Sequence, residues 1–347
     1  MAREIIEIAV KGKWFKVPAL SVDGKHLVVK GNWLKLAYVN NEQWLESEVE
    51  DPDRCVKVLK GQAGEGIRAD LFTFCQKLPA TTPKYSYALE WDSMAAVRVT
   101  TFKDWWEGLP QETRKNVRRS QKRGVTVQAK KLDDALIQDL YVLNNESAVR
   151  QGKVFTHYGK TLEQVARDQV DYLDRSDYIC AYFENELVGV LKLVYRGDVA
   201  SILTFVPKTS HSDKRPANAL IAKAVELCDE KKISYLTYGM YNYGKKRHTP
   251  LREFKIRNGF SEVSVPRYYV PLTAKGAIAL KLKLHRGLIG LLPHRVITVL
   301  VDVRAKLYTI VAPGRCSSTS EQPNRIRQME RSTPPAGSNQ TESIPDR

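Results

Sequence analysis

The sequence predicts an α/β (α+β) fold, a mixed sheet with flanking helices, preceded by a smaller β-rich unit. Three observations predict it. Short β-branched and aromatic stretches, bounded by turn residues, recur through the first hundred positions. From Gly124 onward such stretches alternate with segments of helical periodicity in the order β-α-α-β-β-β-α-β-α-β. Between the two regions lies a basic segment in which no acidic residue interrupts Arg114 to Lys131.

In the N-terminal region, Ile5–Val10, Trp14–Val17, His26–Val29 and Leu34–Val39 read as strands, and Asp23-Gly24 is a two-residue hairpin signal. Asp70–Cys75 and Ala95–Val99 extend the pattern, separated by Gly-bearing and Pro-bearing connections. A helix follows Pro110, with Glu112 near its positive end and Gly124 as its stop. At 3.6 residues per turn, Arg114, Arg118 and Lys122 share one stripe, and Lys115, Arg119 and Arg123 the next. Like charges at this spacing repel, so the run costs stability unless an anion lies nearby.

Beyond Gly124 the expected elements are a strand at Val125–Val127 and helices at Asp133–Arg150 and Thr161–Leu173. Strands at Tyr178–Phe183, Leu187–Val194 and Val199–Val206 come next. A polar loop then leads to a helix at Pro216–Lys231, a strand at Ile233–Tyr238, a short helix at Pro250–Arg257 and a final strand at Val263–Val270. The expected divisions are 1–109, a linking helix at 110–123, and 124–272. A basic amphipathic segment at 273–312 and a disordered tail at 313–347, rich in Ser, Thr, Pro and Arg, complete the chain.

Composition bounds the function. At 347 residues there is room for two domains, and 43% hydrophobic with 27% charged residues suits buried cores. Cys55, Cys75, Cys180, Cys228 and Cys316 are scattered, odd in number and in no CxxC or zinc spacing. Neither a disulfide framework nor a metal is expected, and a reducing cytoplasm is the expected compartment. The N-terminus shows no signal-peptide run, and no stretch of about 18 uncharged apolar residues occurs. The protein is expected to be cytoplasmic, either free or peripheral at the inner face of the membrane. The net charge of +16 favours anionic partners: nucleic acid, anionic lipid or phosphorylated metabolites.

The element order and its contents resemble the GNAT superfamily of acyltransferases, in its Fem-like branch, over about residues 95–272. Glu184–Val190 looks like the family's hairpin beside the substrate cleft. Leu203–Val206, with the loop and the helix start Pro216-Ala217-Asn218-Ala219-Leu220, looks like its splayed strand and phosphate-facing helix. Leu251–Phe260 resembles the closing element of the Fem-like branch, with Phe254-Lys255 followed by Gly259-Phe260, and Trp105–Pro110 with the basic helix resembles the segment that precedes the domain. The loop before Pro216 departs from the acyl-coenzyme A pattern because it contains no glycine. Two GNAT copies are the rule in that branch; whether the N-terminal unit is a second, degenerate copy is left open by the sequence.

The resemblance implies transfer of an acyl or aminoacyl group, from acyl-CoA or aminoacyl-tRNA, to an amine or hydroxyl of a phosphorylated, lipid-linked envelope or polysaccharide precursor. Lys255, Tyr238, Thr204 and His211 are the expected catalytic residues, with Glu146 and Tyr158 as further cleft candidates. Lys214, Arg215 and Asn218 are expected at the donor phosphates, because helix N-termini favour anions. Arg114, Arg118, Lys122, Tyr241 and Tyr243 are expected at the acceptor. No serine or cysteine triad spacing occurs, which suits direct transfer in a ternary complex. The basic amphipathic segment suits an anionic membrane surface or docking on the enzyme's own domains. The rival reading is a non-catalytic GNAT-like scaffold that binds RNA or anionic lipid through the same positive surface.

Overall fold

The computed structural model describes residues 3–10, 12–42, 48–61, 67–150, 153–242 and 249–286. Tyr243, Cys316, the amphipathic segment beyond residue 286 and the tail at 313–347 lie outside them. The N-terminal strands are β1 (Arg3–Val10), β2 (Lys13–Val22), β3 (Lys25–Lys30) and β4 (Leu36–Val39). Asp23 and Gly24 turn β2 into β3 with φ of 51° and 73°, the two positive values that a tight hairpin needs. Helix α1 (Pro52–Gly61) then leads to β5 (Leu71–Cys75) and β6 (Ala88–Arg98). Helix α1 was not expected from the sequence. Its start is the Asp51 carboxylate, which accepts from Arg54 N at 2.9 Å.

Helix α2 (Phe102–Gly108), also unexpected, is capped by Thr101, and α3 (Gln111–Lys122) carries the basic stripe. Gly124 ends α3 at φ 82°: its N–H reaches Gln121 O and that of Val125 reaches Ser120 O, which satisfies the last carbonyls. After β7 (Thr126–Lys130), α4 covers Asp134–Asn144. The helix expected to run to Arg150 is therefore shorter. Arg150 folds back to donate to Leu143 O at 2.8 Å, inside the hairpin of β8 (Val149–Arg150) and β9 (Lys153–Val154). Helix α5 (Leu162–Gln169) opens with a capping box between Thr161 and Gln164 and stops before the expected Leu173. The remaining elements are β10 (Ser176–Phe183), β11 (Glu186–Arg196), β12 (Val199–Pro207), α6 (Pro216–Glu230), β13 (Tyr235–Met240), α7 (Pro250–Arg257), β14 (Ser261–Pro271) and α8 (Ala274–Lys281).

Among the described residues, twelve strands form one sheet in the order β1-β2-β3-β4-β5-β14-β6-β13-β12-β11-β10-β7. Read from its two edges, the sheet repeats itself. β2-β3-β4 and β10-β11-β12 are antiparallel runs, each followed by a parallel join, β4 to β5 and β12 to β13. A single helix, α1 or α6, lies between the parallel strands in the chain. The N-terminal unit thus repeats the C-terminal topology, with the β1–β2 turn standing where α4 and α5 separate β7 from β10. The closing strands are exchanged: β6 follows β5 in sequence but pairs with β13, and β14 follows β13 but pairs with β5.

Strand alternation sorts the helices. Ala95 and Val97 of β6 pack with α6, and Tyr268 of β14, on the same face, packs with α1. Helices α4 and α5 cover the opposite face through Leu136, Leu140, Val165 and Tyr178. On that second face, at mid-sheet, Arg267 is clamped by Asp92 at 2.6 Å and Glu42 at 3.0 Å. The β1–β2 hairpin docks against the α5 region: Trp14 Nε1 donates to Asp168 Oδ1 at 3.1 Å, and Arg167 meets Glu7 at 2.6 Å.

Two stability predictions follow from these contacts. Glu42→Ala leaves Arg267 buried with half of its counter-charge and is expected to cost about 3 kcal/mol in urea unfolding. Burial alone would raise the Asp168 pKa, but hydrogen bonds from His157, Lys160 and Trp14 outweigh it and hold the carboxyl below its ordinary value. Its contribution is therefore complete above the unfolded carboxylate pKa of about 3.9 and is lost as pH falls through the lower folded value. Trp14 fluorescence should report hairpin undocking in acid, whereas Asp168→Asn should show the undocked signal at neutral pH.

Candidate active site

The parallel ladder between β12 and β13 covers only Val199↔Tyr235, Ala200↔Leu236 and Ser201↔Thr237. Beyond Ser201 the strands diverge, so the β12 edge from Ile202 onward borders a V-shaped notch with no strand pairing across it. A register shift against β11 occurs at the same place, between Lys192 and Leu193. It inserts Leu203 as an extra residue and turns the alternation over: Ile202 and Phe205 pack on the α6 side, Val206 on the α4 side. Notch and bulge together leave this stretch of β12 without a described strand partner on its β13 side.

Aromatic rings and one lysine fill the root of the notch. Phe205 lies 5.5 Å from Tyr238 and 5.7 Å from Phe254, centroid to centroid. Lys255 is fully buried, its Nζ 4.5 Å from the Tyr238 ring centre and 2.8 Å from Met240 O. Burial lowers its pKa to about 8. Lys255 is fixed from its own helix end: Gly259, at φ 83°, lets the Phe260 N–H bond to Lys255 O at 3.0 Å. A side chain at Gly259 would strike Trp105 Nε1 at 2.8 Å, so α2 seals this end of α7. Asn218, in the first turn of α6, donates to Asn258 Oδ1 at 3.1 Å, and Asn258 donates to Phe254 O at 2.7 Å. That chain ties the start of α6 to α7.

The loop into α6 is organised from α4. Glu146 accepts from Thr209 N at 3.0 Å, Ser210 N at 2.9 Å and Ser210 Oγ at 2.9 Å, with Arg150 at 3.1 Å. Burial would raise the Glu146 pKa; these hydrogen bonds win and lower it. Ser210 Oγ also lies 3.0 Å from His211 Nδ1, and His211 Nε2 faces Glu186 at 3.5 Å. Lys214 Nζ stands 4.5 Å from the Phe183 ring centre, and Asp213 holds Arg123 at 3.2 Å. Arg215, exposed and left-handed at φ 58°, starts α6 without a side-chain cap.

The structure disperses the sequence candidates. Lys255 and Tyr238 meet at the notch root. Thr204 is on β12 too, but it shares its face with Val206 and pairs across to Lys192. His211, Lys214 and Arg215 stand together on the loop before α6, whereas Asn218 is engaged with Asn258. Arg114, Arg118 and Lys122 line α3, with Arg118 5.5 Å from the Trp106 ring. Tyr241 is buried under Arg252, whose guanidinium lies 4.9 Å from its ring, and Tyr158 is exposed on the turn after β9. Phe205, Phe254, Asn258, Ser210 and Lys192 were not singled out. Lys192 did leave a signal, a lone charge inside the apolar run Leu187–Val194. It is fully buried, donates to Gln169 O at 2.9 Å and Asp171 O at 2.7 Å, and burial lowers its pKa to about 8.

The chain matches no family model and no curated protein. Among solved structures, FemX superposes with a TM-score of 0.52 at 9% identity, over 80% of this chain and 90% of FemX. The chain shares the fold of FemX. The L-PGS of Bacillus licheniformis also aligns, at a TM-score of 0.49 and 16% identity, over 78% of this chain and 87% of that one. Lys255, from the quoted closing motif, and Tyr238 lie together at the notch between β12 and β13.

The α6 start offers a donor's pyrophosphate few backbone N–H groups. Pro216 has no N–H, and the Asn218 N–H is bonded to Arg215 O at 3.2 Å, so few backbone donors point outward. The positive charge here comes from the side chains of Lys214, Arg215 and Arg123, with Asp213 beside Lys214 and Arg123. Among the described residues no group of His, Cys, Asp or Glu could hold a metal ion. With 15N-labelled lysine, NMR titration should show two side chains with midpoints near pH 8, Lys192 and Lys255, and Lys255→Met should remove one of them.

Proposed function

We propose that this protein is an acyltransferase whose notch between β12 and β13 receives an acyl or aminoacyl donor. The observation that carries this reading is the buried Lys255 at the root of a splayed parallel strand pair. The acceptor amine or hydroxyl attacks the acyl carbonyl carbon, whose electron pair moves onto oxygen and then returns as the leaving group departs. Backbone N–H groups along the β12 edge of the notch suit the transient oxyanion. The leaving group, a coenzyme A thiolate or the ribose oxygen of a tRNA, needs a proton. An ammonium with a pKa near 8 is charged at neutral pH and releases a proton more readily than an ordinary lysine.

The acceptor side of the proposal is a phosphorylated, lipid-linked envelope or polysaccharide precursor, held by Arg114, Arg118 and Lys122. The uncompensated positive stripe of α3 supports it. Lys214 and Arg215 are proposed at the donor phosphates, with His211, on the same loop, as the base that would accept the acceptor's proton. The proposed place of work is the cytoplasm, peripheral to the inner face of the membrane. Among the described residues no helix is long and apolar enough to cross a membrane. The thin backbone cradle at α6 favours a second reading, a scaffold that binds RNA or anionic lipid without transfer.

Acyl-CoAs and aminoacyl-tRNAs, each incubated with the protein and a panel of phosphorylated precursors, separate the two readings when transfer is followed by mass spectrometry. Transfer is expected from one donor class, and Lys255→Met should lower kcat roughly 10²- to 10⁴-fold with acceptor binding retained. Absence of transfer from both donor classes to every precursor would leave the scaffold reading.

A further inference from the structure

A second concavity lies outside the notch, on the α6 face of the sheet. It is a cleft of about 610 Å³ between α2, α3, α6 and the edge strand β7. Phe102, Trp106, Val117, Val125, Val127 and Ala222 give it an apolar wall. Phe102 and Trp106 stack at 5.9 Å and form a flat aromatic side. Such a volume is within the range that holds a small molecule's apolar body.

The charge at its rim is one-sided. Arg118 borders the cleft and stands 5.5 Å from the Trp106 ring, and Lys122 follows it by one helical turn. Arg114, Lys115, Arg118 and Lys122 form no ion pair with another described residue, although α3 places them at mutually repelling spacings. Glu226, at the opposite wall, is neutralised by Lys223 at 2.7 Å. The site therefore offers an apolar trough beside an uncompensated guanidinium.

We propose that this cleft binds one molecule of an alkyl or polyprenyl phosphate, the chain along Trp106, Val125 and Val127 and the phosphate on Arg118 and Lys122. The inference rests on the acceptor class proposed above and adds a separate seat for its apolar chain. Charge complementarity selects this occupant. The protein's own apolar segment after residue 286 carries Arg295, Arg304 and Lys306, which the basic rim repels. A neutral hydrocarbon would leave the α3 cations unmatched, and inorganic phosphate would leave the aromatic wall in water.

Full-length protein is titrated with octyl, decyl and dodecyl phosphate below their micelle concentrations, with inorganic phosphate and dodecanol as controls, by calorimetry and Trp106 fluorescence. Affinity should rise about threefold to fourfold for each added methylene. Arg118→Glu should weaken dodecyl phosphate at least about tenfold, and Gln121→Trp, at an exposed position of the cleft wall, should block it while the thermal melt stays cooperative. Ala222→Leu offers a smaller obstruction and should shorten the longest chain accepted. Chain-length-independent affinity, or binding unchanged in both obstructed variants, would overturn the proposal. So would binding to anionic phosphatidylglycerol vesicles without binding of the monomers, which would assign the rim to a bilayer surface. Binding without any acyl transfer would overturn the proposed activity alone; transfer to a short-chain acceptor without alkyl phosphate binding would overturn the cleft alone.

Discussion

The antiparallel pairing of β6 with β14 runs along the centre of the sheet, from Ser261↔Ala96 to Tyr269↔Ala88, and each of these strands also closes the half to which the other belongs in sequence. Neither half can complete its sheet alone, because the edge of β5 is covered by β14 and the edge of β13 by β6. An uncovered strand edge exposes a row of peptide groups that water or a stray chain must satisfy. The exchange thus makes the two topological repeats a single cooperative unit. It also holds β13 in place while its other side parts from β12.

That parting is the useful consequence. A sheet stays closed where ladders continue, and here the ladder between β12 and β13 stops after three residue pairs. Rings from β12, β13 and α7 occupy the root of the gap, so water is excluded from Lys255 and its ammonium becomes costly. The same physics acts on Lys192 on the other face of the sheet, where two carbonyls beyond α5 replace the lost hydration. Two buried lysines on opposite faces carry similar pKa values, yet only Lys255 adjoins the notch. Perturbation marks both, and position separates them.

Charge on the outside follows a different logic. The α3 stripe is exposed and repels itself, and Asp213, beyond the helix end, is taken by Arg123. A folded protein tolerates such a stripe at a modest cost, and an anionic ligand recovers it. Glu146, by contrast, is a charge put to structural use: with two backbone N–H groups, a hydroxyl and Arg150 around it, it sets the path of the loop that presents His211 and Lys214.

Local chemistry made much of this legible in the sequence. Asp23-Gly24 specified a hairpin, Gly124 a helix end and Pro216 a helix start, because each depends only on backbone conformations a few residues apart. The strands from Tyr178 to Val206 were readable from their continuous apolar runs; Lys255 stood out by its place in a motif and Tyr238 by its place at a strand end. Helices α1 and α2 escaped because they are short and their caps, Asp51 and Thr101, are common residues in loops too. What only the tertiary structure decided was the partnership of strands far apart in the chain: the exchange of β6 and β14, the bulge at Leu203 that sends Thr204 away from Tyr238, and the meeting of α2, α3, α6 and β7 around an open cleft. Sequence by itself determines what each segment can become; which segments meet depends on how all of them bury their apolar faces at once, and no local signal records that.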